Sequence, residues 1–220
     1  MNALATQFFN LGIMREALPY LLKGLIVTLG LTAVLVPLGM IAGLLLALGS
    51  LTKHAGIRAA VRTWVNVFRA MPPLVLIILL FSALPFLGVH FSALTCVILG
   101  LLLNNASYYC EIFRAGLGSV PGGQREAGIA TGLSRADTLR FVVLPQAVRT
   151  ILPDLISNSI EVMKGTSLAA IVSVAELLHV ASNVRVVTYN TSPLTLAALM
   201  YLAILLPAVH MMSRLEHKAP

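Results

Sequence analysis

The 220-residue sequence is 58% hydrophobic and only 10% charged, and its mean hydropathy is +0.93. Soluble domains carry about a quarter charged residues, so this composition excludes an ordinary soluble protein and predicts an integral membrane protein. The net charge of +7 would favour nucleic-acid binding in a soluble protein, but here the basic residues stand between long apolar runs. We therefore attribute them to the positive-inside bias of membrane proteins and expect no nucleic-acid partner.

Apolar runs in the sequence predict five membrane spans, each of which needs about 20 residues. The first run contains Pro37 as an expected kink and Gly39-x-x-x-Gly43 as a candidate helix-packing site. A turn at 85–90 separates the second run from the third, and an interfacial helix from Ala59 precedes the second. We predict an all-α integral membrane protein, a single domain over 1–220 with spans at about 24–51, 72–86, 91–110, 151–178 and 193–213.

The placement of Lys and Arg predicts which side of the membrane each loop occupies. The loop 53–69 has four, the segment 111–149 has five and the tail after Ser213 has two, which makes eleven on one side. The other side has three, namely Arg15, Lys23 and Arg185. The positive-inside rule puts the eleven in the cytoplasm, the N-terminus outside and the C-terminus inside.

The cytoplasmic segment 121–145 is polar and rich in helix-boundary signals. Pro121 and the two glycines after it interrupt the preceding helix. A short helix can follow, ended by Gly132 in the left-handed conformation. Ser134, with Asp137 three residues later, predicts the capped start of another helix.

The surface of the short helix carries the small residues Ala127, Gly128 and Ala130, so we predict that a partner's backbone docks on it. The chain has no phosphate-binding loop, no serine nucleophile elbow and no metal-binding helix motif, and its five histidines lack metal-ligand spacing. We predict no catalytic residue, no metal site and no enzyme activity. Any energy-consuming work must be driven by a partner.

Ionisable residues in the fourth span are candidates for a solute path. Asp154, Asn158 and Glu161 recur at i, i+4 and i+7, which places them on one helix face. Glu161 lies ~15 Å along the helix from Ile151, near the middle of a ~30 Å hydrocarbon core. With Lys164 at i+3, it either forms a structural ion pair or presents opposite charges to a zwitterionic solute.

The third span carries a polar patch in its cytoplasmic half, made of Asn104, Asn105, Ser107 and Tyr108. These side chains either line the same path or hold packed helices together by hydrogen bonds.

Two stretches of the chain resemble a known family. Glu126-Ala127-Gly128, three residues, Gly132, nine residues and Val142-Val143-Leu144-Pro145 resemble the EAA motif of ABC importer permeases. Gly128 replaces the second Ala of that motif and Val142 replaces its Ile. From about residue 20 to 180 the chain is similar, in order, to the polar amino acid permease branch, for example in Lys164-x-Thr166-Ser167-Leu168.

The resemblance implies a type I ABC importer permease of five spans, located in the bacterial cytoplasmic (inner) membrane. It implies import of an amino acid by alternating access, with 121–145 holding the coupling helix that docks on a separate ATPase. The coupling residues would be Gly123, Glu126, Ala127, Gly128, Gly132, Leu133 and Ser134. The family motif Lys164-x-Thr166-Ser167-Leu168 adds Thr166 and Ser167 to the candidates from the third and fourth spans. The residues that line the solute path would then be Asn104, Asn105, Ser107, Tyr108, Asn158, Glu161, Lys164, Thr166 and Ser167.

The implied partners are ABC ATPase subunits, a second permease chain that is identical or related, a periplasmic solute-binding protein, and membrane lipid. No cofactor is expected in this chain, since ATP and Mg²⁺ would lie on the ATPase. Leu76 and Gly165 stand where the branch often has polar residues, which keeps another small zwitterionic or amino-acid-derived solute as the alternative. A passive channel or a membrane enzyme is the alternative of a different class.

Overall fold

A computed structural model describes residues 3–216, which are helical apart from short turns and contain no strand. The basic tail counted above includes Lys218, which lies outside the described residues. The α-helices are α1 (Ala3–Phe8), α2 (Leu11–Ser50), α3 (Ala55–Ala70), α4 (Pro73–Ser82), α5 (Ala93–Ser119), α6 (Gly122–Ala130), α7 (Arg135–Asp137), α8 (Leu144–Gly165), α9 (Leu177–Thr188) and α10 (Ser192–Glu216). Helical turns of other kinds cover Leu84–Leu87, Thr138–Val143 and Thr166–Val172.

Within this range, three stretches are long and apolar enough to cross a membrane: Ala3–Ser50, which comprises α1 and α2, Ala93–Ser119, and Ser192–Arg214. Two helix pairs satisfy the same criteria together but are bent, α3 with α4 by 96° and Arg135–Val172 with α9 by 47°. The chain therefore has up to five spans if each bent pair forms one. The predicted fold class, an all-α membrane protein, is confirmed.

The second predicted span is shorter than expected as an α-helix, and the fourth is not a continuous helix. The helix α4 has 10 residues, about 15 Å, and joins α3 at the extended residues Met71 and Pro72. We expected one helix through 151–178, but α8 tightens into the turn Thr166–Val172 and then stops at Ser173, whose φ is 60°. The next helix begins after Glu176, which caps it. By contrast, α2 runs unbroken through Pro37.

The packing of α2 against α5 confirms the predicted role of Gly39 and Gly43. Both glycines face the fully buried Tyr109. A Cβ at Gly39 would lie 2.9 Å from Cε2 of Tyr109, and a Cβ at Gly43 would lie 2.9 Å from the carbonyl oxygen of Ala106. The absence of side chains on this stripe lets the two long helices approach closely and form the centre of the molecule.

The two sides predicted from the basic residues lie at opposite ends of the helices. At one end the amide of Asn190 donates to the carbonyl of Thr6 at 3.0 Å, which holds the turn after α9, with Arg185 near it, against the N-terminal helix. At the other end the last turn of α2 meets the segment 121–145, the candidate coupling segment, and Ser50 and Arg125 line one cavity there. The helices thus separate the basic end from the end that carries Arg185.

A buried hydrogen bond joins α2 to the start of α9. The Thr28 hydroxyl accepts from the backbone N–H of Leu177 at 3.1 Å and donates to the carbonyl of Gly24. Thr28→Val keeps the shape but leaves the Leu177 N–H without a partner, so we expect a loss of about 1–3 kcal/mol in the free energy of unfolding. Thermal unfolding in detergent checks this.

Thr32→Val is the matched control on the same helix. The Thr32 hydroxyl donates only to the carbonyl of Thr28 within α2, and its removal orphans no N–H group. We expect this variant to unfold close to the wild-type temperature. An equal loss in both variants would contradict the role assigned to Thr28.

Candidate coupling segment and polar cavity

The candidate coupling segment 121–145 contains the short helix that its sequence predicts, although the helix begins earlier than the expected Gln124. The helix α6 begins directly after Pro121, so it includes Gly122 and Gly123; it ends at Ala130, and Gly132 adopts φ 87°. The N–H of Leu133 then donates to the carbonyl of Gly128 at 3.2 Å, which closes the end of the helix. The predicted start of the next helix is also present, because the Ser134 hydroxyl accepts from the N–H of Asp137 at 3.1 Å.

Contacts on both sides tie α6 to the membrane helices. The Arg125 guanidinium donates to the carbonyl of Leu117 in α5 at 2.9 Å. Gly128 is buried against Thr138, and a Cβ there would lie 2.7 Å from the Thr138 methyl group. These contacts join α6 to α5 and, through Thr138, to the segment that leads into α8.

One of the residues expected to dock on a partner, Gly128, is not exposed. Gly123, Glu126, Ala127 and Ser134 are exposed and Leu133 is half-buried. Gly128 faces its own chain, because the approach of Thr138 leaves no room for a side chain there. Sequence reasoning missed the exposed apolar side chains of this end, among them Ile129, Leu139 and Phe141. Their unusual exposure in a polar segment is visible only in the fold.

A polar cavity of about 340 Å³ lies between α4, α5 and α8. Five of the predicted path residues line it: Asn104, Asn105, Tyr108, Asn158 and Glu161. Gly165 lines it too, and a Cβ there would meet only the Leu101 side chain, at 3.8 Å. The patch on the third span and the polar face of the fourth therefore meet at one site.

Four other predicted path residues do not line this cavity. Ser107 and Thr166 are fully buried, and their hydroxyls donate to carbonyls of their own helical segments. The Ser167 hydroxyl donates to the carbonyl of Lys164. Lys164 is not among the lining residues, and its ammonium group pairs with the Glu161 carboxylate.

The asparagines around the cavity differ in how their hydrogen bonds are satisfied. The amide of Asn104 donates to the carbonyls of Phe68 and Met71 at 2.8 and 3.2 Å, which supports the bend between α3 and α4. The amide of Asn105 donates to the carbonyl of Leu101 at 2.8 Å. The Nδ2 atom of Asn158 is buried and has no partner within the described chain. Asn158 thus has donor capacity left for a solute.

Glu161 and Lys164 form the ion pair that one of the two interpretations requires. Their side chains are 62% and 48% exposed, respectively, so the isolated chain does not bury the pair. A pair exposed to this extent stabilises little, and its carboxylate remains accessible from the cavity. The geometry agrees with a structural ion pair, because the pair forms, and also with a role in solute binding, because Glu161 lines the cavity.

Sequence reasoning missed Glu176, the fully buried acid at the break before α9. Its carboxylate accepts from the N–H groups of Leu178 and His179 at 2.9 and 2.7 Å and from the Tyr201 hydroxyl at 3.0 Å. It caps α9 inside the protein and joins it to α10. The sequence does carry a pattern that could have identified it: an acidic residue stands directly before a helix-forming run, which is typical of a helix N-terminus.

Residues 39–219 match the family described as binding-protein-dependent transport system inner membrane component. The chain belongs to this family. Its membership agrees with the EAA-like motif and with the helical architecture, and it identifies the protein as a permease of an ABC transport system.

Named relatives of the permease extend over most of its length. It is 36% identical over 212 residues to the Probable amino-acid ABC transporter permease protein YckA of Bacillus subtilis (strain 168), covering 96% of this chain and 93% of that protein. It is 32% identical over 176 residues to the glutamate/aspartate import permease protein GltK of Escherichia coli O6:H1, covering 76% of this chain and 79% of that protein.

Solved structures show the same fold. The crystal structure of an amino acid ABC transporter with histidines aligns with a TM-score of 0.87 at 31% identity, covering 93% of the permease and 96% of that chain. An inward-facing structure of the MetNI methionine ABC transporter aligns with a TM-score of 0.74 at 18% identity, covering 92% and 97%. The type I importer permease fold predicted from the sequence is thereby confirmed.

Proposed function

We propose that this permease moves an amino acid across the bacterial cytoplasmic membrane as the transmembrane part of an ABC importer. The observation that carries the proposal is the polar cavity, in which Asn158 and Glu161 of α8 face Asn104, Asn105 and Tyr108 of α5. The names of the relatives, which include amino-acid and glutamate/aspartate permeases, support the solute class. Another small zwitterion is the alternative, because Gly165 leaves space in the lining.

The cavity suits the two charged ends of an amino acid. The Glu161 carboxylate is the one charged group of the lining and would accept hydrogen bonds from the solute's ammonium group. The Asn158 amide, whose buried Nδ2 has no partner in the described chain, would turn toward the cavity and donate to the solute's carboxylate. Lys164, which pairs with Glu161, would compensate part of the negative charge of Glu161, so the charge of the site is compatible with acidic as well as neutral amino acids.

Transport would be driven from the segment 121–145. Glu126, Ala127 and their exposed neighbours would dock on an ABC ATPase that holds ATP and Mg²⁺, and the contacts of α6 with α5 and Thr138 would carry its motion to the cavity. A second permease chain, identical or related, would complete the path, and a periplasmic binding protein would deliver the solute. This assembly requires the basic end in the cytoplasm and the N-terminus outside, as the positive-inside rule predicts.

Uptake by the complete complex in proteoliposomes tests the proposal. We expect ATP-dependent accumulation of an amino acid, and we expect Asn158→Leu to raise KM for the solute about tenfold, since one hydrogen bond to a charged group is worth about 1.5–3 kcal/mol. The basal ATPase rate should be unchanged.

Asp154→Asn is the matched control, because Asp154 is exposed on the same helix and does not line the cavity. Its KM should equal that of the wild type. ATP-independent flux would favour a channel. An unchanged KM in Asn158→Leu would show that the cavity is not part of the solute path.

A further inference from the structure

A second and larger cavity, of about 780 Å³, lies beside the coupling segment. It is enclosed by the end of α2, by α3, by the end of α5 and by the residues from α6 to Val143. Four arginines contributed by different helices line it, namely Arg62, Arg114, Arg125 and Arg135. This cavity is separate from the polar cavity that holds Asn158, with which it shares no lining residue.

The positive charge of this cavity is only partly compensated by the protein. No acidic residue lines it. Arg114 pairs with Glu111, and the guanidinium of Arg125 donates to a neutral carbonyl. Arg62 and Arg135 have no carboxylate within 4.0 Å among the residues that the structure describes. Like charges that converge on one cavity repel each other, so an anion bound there would stabilise the arrangement.

The shape and chemistry of the lining favour an amphipathic anion over a small soluble one. Between the arginines the wall is apolar, with Leu51, Leu117 and Leu139 among its residues. The hydroxyl of Thr138 is buried in this wall and has no hydrogen-bond partner in the described chain. Arginine guanidinium groups bind phosphate oxygens in a bidentate manner, and the leucines fit the glycerol and the first methylene groups of a lipid.

The apolar helix α2 ends at Ser50 in the wall of the cavity, and Arg62 of α3, the helix that meets α4 at 96°, lines the cavity too. Because an apolar membrane helix ends near the membrane surface, we expect the cavity to lie at the level of the lipid headgroups. Basic pockets between membrane helices at this level bind anionic headgroups. We propose that the cavity binds the phosphate headgroup of an anionic phospholipid and that the lipid bridges α6 to α3.

Lipid binding by the complete transporter in nanodiscs tests this proposal. Spin-labelled phosphatidylglycerol and phosphatidylcholine are compared by the immobilised fraction of each label. We expect phosphatidylglycerol to be enriched around the wild type and the enrichment to fall about fivefold in Arg62→Gln/Arg135→Gln. The double variant Arg58→Gln/Arg149→Gln removes the same charge from α3 and α8 outside the lining and should retain the enrichment.

Three outcomes would overturn the proposal. The first is equal enrichment in both double variants, provided that both elute as intact complexes. The second is displacement of the labelled lipid by millimolar inorganic phosphate, which would make the ligand a soluble anion. The third is cross-linking of Leu51→Cys and Leu139→Cys, which keep all four arginines, to the ATPase instead of to a lipid probe, which would make the cavity a protein interface. None of these outcomes bears on the solute cavity, so the proposed transport function is tested separately.

Discussion

Glu126→Lys is expected to abolish transport-coupled ATP hydrolysis while leaving the permease folded. Glu126 is exposed on α6 and makes no ion pair within the described residues, so its replacement costs the isolated chain little. In the proposed complex the same change reverses a charge at the centre of the docking surface, and like charges across an interface disfavour association strongly. We expect at least a tenfold loss of solute-stimulated ATPase activity in proteoliposomes. A tenfold loss corresponds to a decrease of about 1.4 kcal/mol in the free energy of coupling.

Glu16→Lys is the control for this change. Glu16 is also exposed, but it lies near the N-terminal end of α2, at the opposite end of the molecule from α6. Its replacement alters the net charge equally and should leave coupling intact. Wild-type ATPase stimulation in Glu126→Lys would count against α6 as the docking element, whereas loss in both variants would indicate a general effect of charge.

Gly43→Leu is expected to prevent stable folding. A Cβ at this position would lie 2.9 Å from the carbonyl oxygen of Ala106 and from the backbone N of Cys110, and closer still to the Cβ of Tyr109. These atoms are backbone atoms and a Cβ atom of α5. They cannot move aside without moving the helix, whereas the end of a flexible side chain could. Overpacking of a well-packed core costs about 1–3 kcal/mol, and separation of α2 from α5 adds to that cost.

The measurement is the yield of monodisperse protein in detergent together with its unfolding temperature. Gly30→Leu is the matched control, because Gly30 lies on the same helix with no atom within 4 Å of a Cβ placed there. We expect Gly43→Leu to aggregate or to unfold well below the wild type and Gly30→Leu to behave normally. Similar unfolding temperatures would show that the close approach of the two helices is not required.

Local signals predicted the coupling segment well. Gly132 takes the left-handed conformation and Ser134 caps the following helix, because each of these features depends on residues only two to four positions apart. The Gly39-x-x-x-Gly43 pattern likewise identified a packing stripe, although its partner, Tyr109, could not be known from the pattern. Contacts between residues far apart in the chain have no such local signature.

The solute cavity was predicted in part. Asn104, Asn105 and Tyr108 were candidates on the third span, and Asn158 and Glu161 were candidates on the fourth. Their sequence positions could not show that the two sets face each other, nor that the Ser107 and Thr166 hydroxyls are used by their own helical segments. Glu176 was missed because burial, which makes a carboxylate structurally important, depends on the surrounding helices.

The sequence by itself determined the membrane class, the charge asymmetry between the two ends and the capped helix in 121–145, because composition and near-neighbour chemistry decide these features. Only the tertiary structure decided that Gly128 faces inward and that α8 ends in a break at Ser173. It also brought arginines from four helices around one cavity. Such features arise from helix packing over long sequence distances, where the position of a side chain depends on every helix around it.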